Sequence, residues 1–410
     1  MATLRPLRAQ GMACSVARSS IRPIQRTASL KAWPTPRVQV RCKSGPYGYT
    51  QAKSLVFSEY GEPKDVLKLH THSISPSLTP SSVLLRTLAA PINPADVNTI
   101  QGTYGAKPAF DTLLGTAQPS VVPGNEGAFE VVSSSSADLS SGDWVIPKKT
   151  QFGTWRTHAL APADAVIKVD RTGLTPEQVA TVSVNPCSAY RMLRDYAHPY
   201  PLREGDWFIQ NGANSGVGRA AIQLGKLWGY RSINVVRARE TAAEDEALKK
   251  ELLDLGATHV VTEPEFTARE FRDRLAEWTR GNREGVRLGL NCVGGKSAQG
   301  IAYSLGRGGT VVTYGGMSRA PVALPTGLLI FKDIRFVGFW LSRWADGDAA
   351  AKERTVAEIL GLVREGKFRD VPIVKVPWTW ETEVQELKDA VQGTFEGFRK
   401  GKGIFTFKDT

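Results

Sequence analysis

Hydrophobic and polar positions change their spacing twice along this chain. From Thr50 to about Asn185, short apolar-rich runs are separated by Gly, Pro and Ser: Ala52–Phe57, Ser82–Ala90, Gly127–Ser133, Asp143–Ile146 and Ala165–Val169. Closely spaced runs with turn signals predict a mainly β module of the partly closed barrel type. From Thr175 onward, strand-like and helix-like spacings alternate. Trp207–Gln210, Ser232–Val236, Thr258–Thr262, Leu288–Val293 and Thr310–Tyr314 read as strands, the last two running into glycine pairs. Arg219–Trp228 has helical apolar spacing, and Ala242–Leu255 is a charged amphipathic helix stopped by Gly256. That alternation predicts a doubly wound parallel sheet. After about Ala350 the pattern turns helical at Lys352–Glu365 and Glu381–Gln392, then ends in a strand at Gly403–Phe407. Such a return predicts that the tail folds back onto the first module, leaving a cleft for substrate between modules.

A net charge of +12 over 410 residues raises the question of nucleic acid. Its distribution answers it. Nine of the Lys and Arg residues lie in residues 1–43, where there is no Asp or Glu, and the first acid is Glu59. Without that segment the net charge is +3, that of an ordinary soluble protein. No basic–aromatic stripe marks a nucleic-acid surface. An acid-free, Arg- and Ser-containing leader with basic helical stretches at Thr3–Gln10 and Met12–Ile24 predicts a mitochondrial transit peptide, cleaved near Arg41–Ser44. No apolar run reaches the roughly 18 residues of a membrane span. Cys14, Cys42, Cys187 and Cys292 are scattered and draw neither a disulfide framework nor a Cys-x-x-Cys metal site.

The segment NGANSGVG (211–218), set between strand Trp207–Gln210 and its helix, carries the first chemistry. Gly212, Gly216 and Gly218 suit a tight turn, approach to a pyrophosphate and close helix–strand packing, with Ser215 where a glycine is frequent. At the end of the next strand, where an NAD site carries an acid, the residues are Arg237, Ala238 and Arg239. Two guanidiniums match a 2′-phosphate and leave a bare ribose hydroxyl unserved, so the expected cofactor is NADPH.

The chain resembles the medium-chain dehydrogenase/reductase superfamily and, within it, the mitochondrial trans-2-enoyl-thioester reductases. The matching segments are PINPADVNTIQGTYG (91–105), VPGNEG (122–127), NGANSGVG (211–218), INVVRAR (233–239), NCVGG (291–295), TYGGM (313–317) and GFWLSRW (338–344). The resemblance spans about residues 50–410. It implies an α/β chain with a GroES-like, mainly β catalytic domain (44–185 and 350–410) and a Rossmann-type NADPH-binding domain (186–349). It implies NADPH-dependent reduction of trans-2-enoyl-CoA or enoyl-acyl-carrier-protein in fatty acid synthesis in the mitochondrial matrix. Zinc-dependent relatives bring a Cys from the first loop and a His from a Gly-His-Glu segment. Here those stretches offer Asn93–Asp96 and Gly124-Asn125-Glu126, with His70 and His72 in an early loop and three other histidines dispersed, so no metal is expected.

Without a metal, carbonyl polarisation falls to hydrogen-bond donors. The family's catalytic tyrosine maps onto Tyr104, whose phenol can hydrogen-bond the thioester oxygen as enolate character develops and pass on a proton. The cofactor contacts map onto Asn185, Asn214, Ser215, Gly216, Val217, Arg237, Ala238, Arg239, Tyr314, Gly315, Gly316, Met317, Phe339, Trp340, Leu341 and Lys402. Taken alone, Lys402 also reads as a solvated tail residue, and Trp340 and Trp344 as core or interface aromatics. The apolar Leu328–Phe331 run and strand-like Ile334–Phe339 give an expected homodimer interface within Val322–Trp340. Two other functions fit parts of the chain: NADPH-dependent quinone or enone reduction, which would not need Tyr104, and a non-catalytic binding protein built on a nucleotide fold.

Overall fold

The computed structural model of the chain describes residues 44–281, 283–394, 401–408 and 410. The expected leader, residues 1–43, with its two helices and its cleavage site, lies outside them. In chain order, β1 (Thr50–Val56) and β2 (Lys68–Ile74) pair antiparallel as a two-stranded sheet. β3 (Ser82–Pro91), β4 (Ala128–Ser134), β5 (Trp144–Pro147), β6 (His158–Pro162) and β7 (Val166–Val169) follow. Next come β8 (Trp207–Gln210), β9 (Arg231–Val236), β10 (His259–Thr262), β11 (Val286–Asn291), β12 (Leu305–Thr313) and β13 (Arg335–Gly338). β14 (Ile373–Trp378) and β15 (Lys402–Phe407) close the chain.

The middle group forms a six-stranded sheet in the order β10-β9-β8-β11-β12-β13, with every pairing parallel. Chain order and spatial order reverse at β8, which is the doubly wound Rossmann arrangement. All four residues of β8 are buried, as its unbroken Trp-Phe-Ile-Gln run requires of a central strand. The other sheet runs β14-β15-β3-β4-β5-β7, with β6 also on β3, so the tail strands do return to the first module. Trp155, Trp378 and Phe405 lock that return, with ring centroids 5.5 and 5.3 Å apart in edge-on contacts. Lys352, almost fully buried on helix Ala349–Arg364, donates to the carbonyls of Pro147 and Lys148 at 2.9 and 3.0 Å, tying that helix to the end of β5. No helix among the described residues is long and apolar enough to cross a membrane.

One expectation needs correction. His70 and His72 lie in β2 rather than in a loop, their rings stacked at 5.7 Å. Alternating polar side chains on a half-exposed strand hid that element. β6 and β14 both carry proline, and β14 is a largely exposed edge strand, so neither shows a strand pattern of its own in the sequence. Leu328–Phe331 belongs to a helix, Thr326–Lys332, in which Leu328 is buried but Ile330 and Phe331 are 66% and 77% exposed.

His158, fully buried on β6, is held down to about 4 by burial, then by Arg86 and His72. Burial, His70 and Arg156 likewise lower His72 to about 4. The unfolded chain takes up protons at both sites near the ordinary value of 6.5, whereas the folded chain resists until about 4. This contribution to stability is therefore complete above about pH 6.5 and lost as pH falls toward about 4. Thermal melts should show Tm declining across that window, with a shallower slope in His158→Gln. Identical slopes would contradict the assignment.

Candidate active site

A cavity of about 1590 Å³ is lined by residues from both sheets and their connections. One wall is the turn after β8. Gly212 has φ +58°, and a Cβ there would meet Cys292 Sγ at 2.5 Å. A Cβ on Gly218 would sit 2.4 Å from the Ala213 carbonyl oxygen, and one on Gly216 2.6 Å from Asn185 Nδ2. These glycines therefore set how closely helix Gly216–Leu227 and Asn185 approach the turn. Ser215 caps that helix, its Oγ accepting from the Gly218 N–H at 3.1 Å. Other first-turn amides of a helix have no partner of their own, and Ser215, Gly216 and Val217 line the cavity. Asn211 fastens β8 to β11, donating to Asn291 Oδ1 at 2.8 Å and accepting from the Cys292 N–H at 2.8 Å.

Arg237 and Arg239 leave the end of β9 and line the same cavity, with Ala238 between them off its wall. The Arg239 N–H donates to Asp245 at 2.7 Å, which fixes the bend. Arg219 donates to the Asn214 carbonyl at 3.0 Å and forks onto Glu251 at 2.7 and 3.0 Å, so the turn is braced from behind. Tyr314, further along the wall, is held well above the usual phenol range by burial and by the Cys292 thiol against it.

The opposite wall carries Tyr104. Helix Pro94–Ile100 starts with a reciprocal cap in which Asp96 accepts from the Asn93 N–H at 2.8 Å. Its other carboxylate oxygen accepts from the Asn125 N–H and side-chain amide at 3.0 and 2.6 Å. After the helix, the Thr103 and Tyr104 amides both donate to the Asn98 carbonyl, at 2.9 and 3.1 Å. Gly102 makes that turn at φ +71°, where any Cβ would strike the Tyr60 ring at 2.8 Å. The Tyr104 hydroxyl accepts from Trp340 Nε1–H at 2.9 Å and lies 3.1 Å from Ser342 Oγ. The Tyr104 and Trp340 rings meet edge-on at 6.1 Å.

Asn93, which also lines the cavity, joins a charge cluster. Glu126 is fully buried and accepts from Asn93 Nδ2 at 2.8 Å and from the Val184 N–H at 3.0 Å. Lys402 donates to Asn93 Oδ1 and stands 3.8 Å from Glu126. Burial raises both the Asp96 and the Glu126 carboxyls and lowers the Lys402 ammonium. Each carboxylate nevertheless meets only donors in these contacts, the arrangement an ionised group requires. Glu126 also fixes the residue before Asn185, so one buried carboxylate connects the Tyr104 wall with the nucleotide wall.

All of the site residues expected from the sequence line this one cavity except Ala238. Lys402 is a largely buried strand residue rather than a solvated tail, while Trp340 is 42% exposed beside Tyr104. Ser342, Asn93, Asp96 and Glu126 were not among the expected site residues. Asn93 and Asp96 carried a legible signal, a capping pair three residues apart flanking Pro94. Ser342 carried none.

Residues 216–356 match the zinc-binding dehydrogenase family. The mitochondrial enoyl-acyl-carrier-protein reductase of Yarrowia lipolytica is 49% identical over 322 residues, 78% of this chain and 82% of that protein. The chain belongs to the mitochondrial enoyl-acyl-carrier-protein reductases. A solved structure of this family, the Etr1p/NADP/crotonyl-CoA complex, superposes with a TM-score of 0.82 at 40% identity, covering 87% of this chain and 99% of that one. The mitochondrial 2-enoyl thioester reductase Etr1p/Etr2p heterodimer of Candida tropicalis gives 0.81 at 40% identity, covering 87% and 99%. In this reductase, Asn93 and Asn125 stand in the two stretches compared above with those of zinc-dependent relatives, and the Lys402 ammonium donates to Asn93. Among the described residues no group of three or more His, Cys, Asp or Glu is placed to hold a metal ion.

Proposed function

We propose that the chain reduces trans-2-enoyl thioesters, carried on CoA or acyl carrier protein, to saturated acyl thioesters with NADPH in mitochondrial fatty acid synthesis. The observation that carries this reading is the Tyr104 hydroxyl, which faces the same cavity as a nucleotide cradle. The residues present fit NADPH. Gly216 and Val217 offer helix-terminal amides to its pyrophosphate beside Ser215, whose own N–H is held by the Gly212 carbonyl, and Arg237 and Arg239 offer guanidiniums to its 2′-phosphate. Asn185, Tyr314–Met317, Phe339–Leu341 and Lys402 would enclose its nicotinamide end. When bound, NADPH supplies a hydride to the substrate β-carbon.

The chain's own task is to manage the charge and the proton. As negative charge grows on the thioester oxygen, the Tyr104 O–H donates to it. The proton then leaves the phenol for the α-carbon, and the phenolate is reprotonated from solvent. The cavity's volume of about 1590 Å³ leaves room for an acyl chain beside the cofactor, in keeping with a two-substrate site. In this reading residues 44–185 with 350–410 form the catalytic domain and 186–349 the NADPH domain. The leader of residues 1–43 delivers the enzyme to the mitochondrial matrix.

The test is NADPH oxidation by protein lacking residues 1–43, with crotonyl-CoA and longer trans-2-enoyl-CoA substrates measured beside a quinone. Selective use of the thioesters supports the proposal. Faster quinone reduction, unaffected by loss of the Tyr104 hydroxyl, would replace it with an enone or quinone reductase.

The enzyme works as a homodimer joined through the β13 side of the parallel sheet. β13 has β12 on one side only, and the neighbouring helix exposes Ile330 and Phe331. Light scattering at micromolar concentration should give twice the chain mass, and Phe331→Glu should shift it toward monomer. A wild-type monomer would contradict this arrangement.

A further inference from the structure

Resting on the assignment of Tyr104 above, we infer that Ser342 is a positioning residue for the proton transfer. It aims the Tyr104 O–H before transfer and donates to the phenolate afterwards. The contact is long-range in sequence, 238 residues apart, and direct in space, 3.1 Å from oxygen to oxygen. Ser342 is 6% exposed, so water competes poorly for its hydroxyl. Its backbone is set by helix Leu341–Gly347, which follows β13, while Tyr104 is set by the turn after helix Pro94–Ile100. The two oxygens therefore meet only when both walls of the cavity are in place.

Hydrogen-bond capacity gives the arrangement its direction. The indole N–H of Trp340 can only donate, so it fixes one lone pair of the Tyr104 oxygen, at 2.9 Å. That leaves the phenol O–H two partners, substrate oxygen or Ser342 Oγ. A serine hydroxyl can accept or donate, and it turns about a single bond. In the resting site it accepts from Tyr104 and holds the phenol proton on the cavity side. During turnover the phenol O–H bond breaks and a C–H bond forms at the α-carbon. The phenolate then holds a full negative charge, and the Ser342 O–H rotates to donate to it alongside the Trp340 N–H. Solvent returns the proton, so the cycle balances with no further reactant. A hydrogen bond to a charged group is stronger than one to a neutral group, so the Ser342 contact strengthens as the proton leaves. It should therefore act on turnover and not on ground-state binding.

The experiment compares Ser342→Ala, Ser342→Thr, Tyr104→Phe and the Tyr104→Phe/Ser342→Ala double variant. For each, kcat and KM with a trans-2-enoyl-CoA are measured, with NADPH affinity by fluorescence titration without substrate, and Tm. Ser342→Ala should lose roughly tenfold in kcat, the effect of one such donor, with KM and NADPH affinity unchanged. Ser342→Thr, which keeps the hydroxyl, should recover most of that loss. In the Tyr104→Phe background, Ser342→Ala should add nothing, because its partner oxygen is gone. Unchanged kcat in Ser342→Ala beside a crippled Tyr104→Phe overturns the inference and leaves the role of Tyr104 standing. An equal loss in both backgrounds marks a purely structural serine and also overturns it. Undiminished turnover in Tyr104→Phe removes the assignment of Tyr104, and this inference with it.

Discussion

Tyr104→Phe should lower enoyl-CoA turnover by about 10²–10³, the usual effect of deleting one donor from a developing oxyanion. The substitution keeps the ring, its edge-on contact with Trp340 and the backbone bonds to Asn98. It removes the one atom assigned a chemical role. The cost to folding should be small. Trp340 is 42% exposed and can take a water, while the buried Ser342 hydroxyl loses a partner worth about 1 kcal/mol. NADPH affinity should hold, since the nucleotide turn and the arginines stand on the opposite wall. If the bond tightens chiefly in the transition state, the loss falls on kcat more than on KM. Steady-state kinetics with a binding titration separates these quantities, and near-wild-type turnover would remove Tyr104 from the mechanism.

Replacing Arg237 and Arg239 together with Ala should cost NADPH far more than NADH. Each charge-assisted pair with a 2′-phosphate is worth roughly 1.5–3 kcal/mol, so losing even one weakens binding by about tenfold to a hundredfold. NADH has no such phosphate and loses little. Glu240 and Glu244 line the same part of the cavity. Once the guanidiniums are gone, these carboxylates repel the 2′-phosphate and deepen the preference. Helix Ala242–Leu255 keeps its own cap, and the β9 bend is held by a backbone N–H, so the fold should survive the change. Affinities for both cofactors, measured by titration on one preparation, give the ratio. An unchanged ratio would show that neither arginine meets the phosphate.

The nucleotide sheet was legible because its signals are local. Helix Ala242–Leu255 was readable to the residue, since Thr241 and Glu244 cap its start and Gly256, at φ 121°, ends it. β8 announced itself as four consecutive buried positions. The first module was less readable because its partners are distant in sequence. β14 is half exposed and carries Pro377, so its strand character comes from pairing with β15 rather than from its own pattern. Lys402 reads as a tail residue until β15 is seen between β14 and β3, which brings its side chain to Asn93 and Glu126. Ser342 lies inside a motif whose resemblance was visible, but no local spacing reveals a hydroxyl that matters through a partner 238 residues away.

The position of the transferred hydrogens in the product tests the mechanism most directly. With a trans-2-enoyl-CoA and unlabelled NADPH in deuterated water, the saturated product should carry one solvent deuterium at the α-carbon and none at the β-carbon. Tyr104 exchanges its proton with solvent between turnovers, whereas the β-hydrogen comes from the cofactor. Deuterium at the β-carbon, or a product without solvent label at the α-carbon, would contradict it.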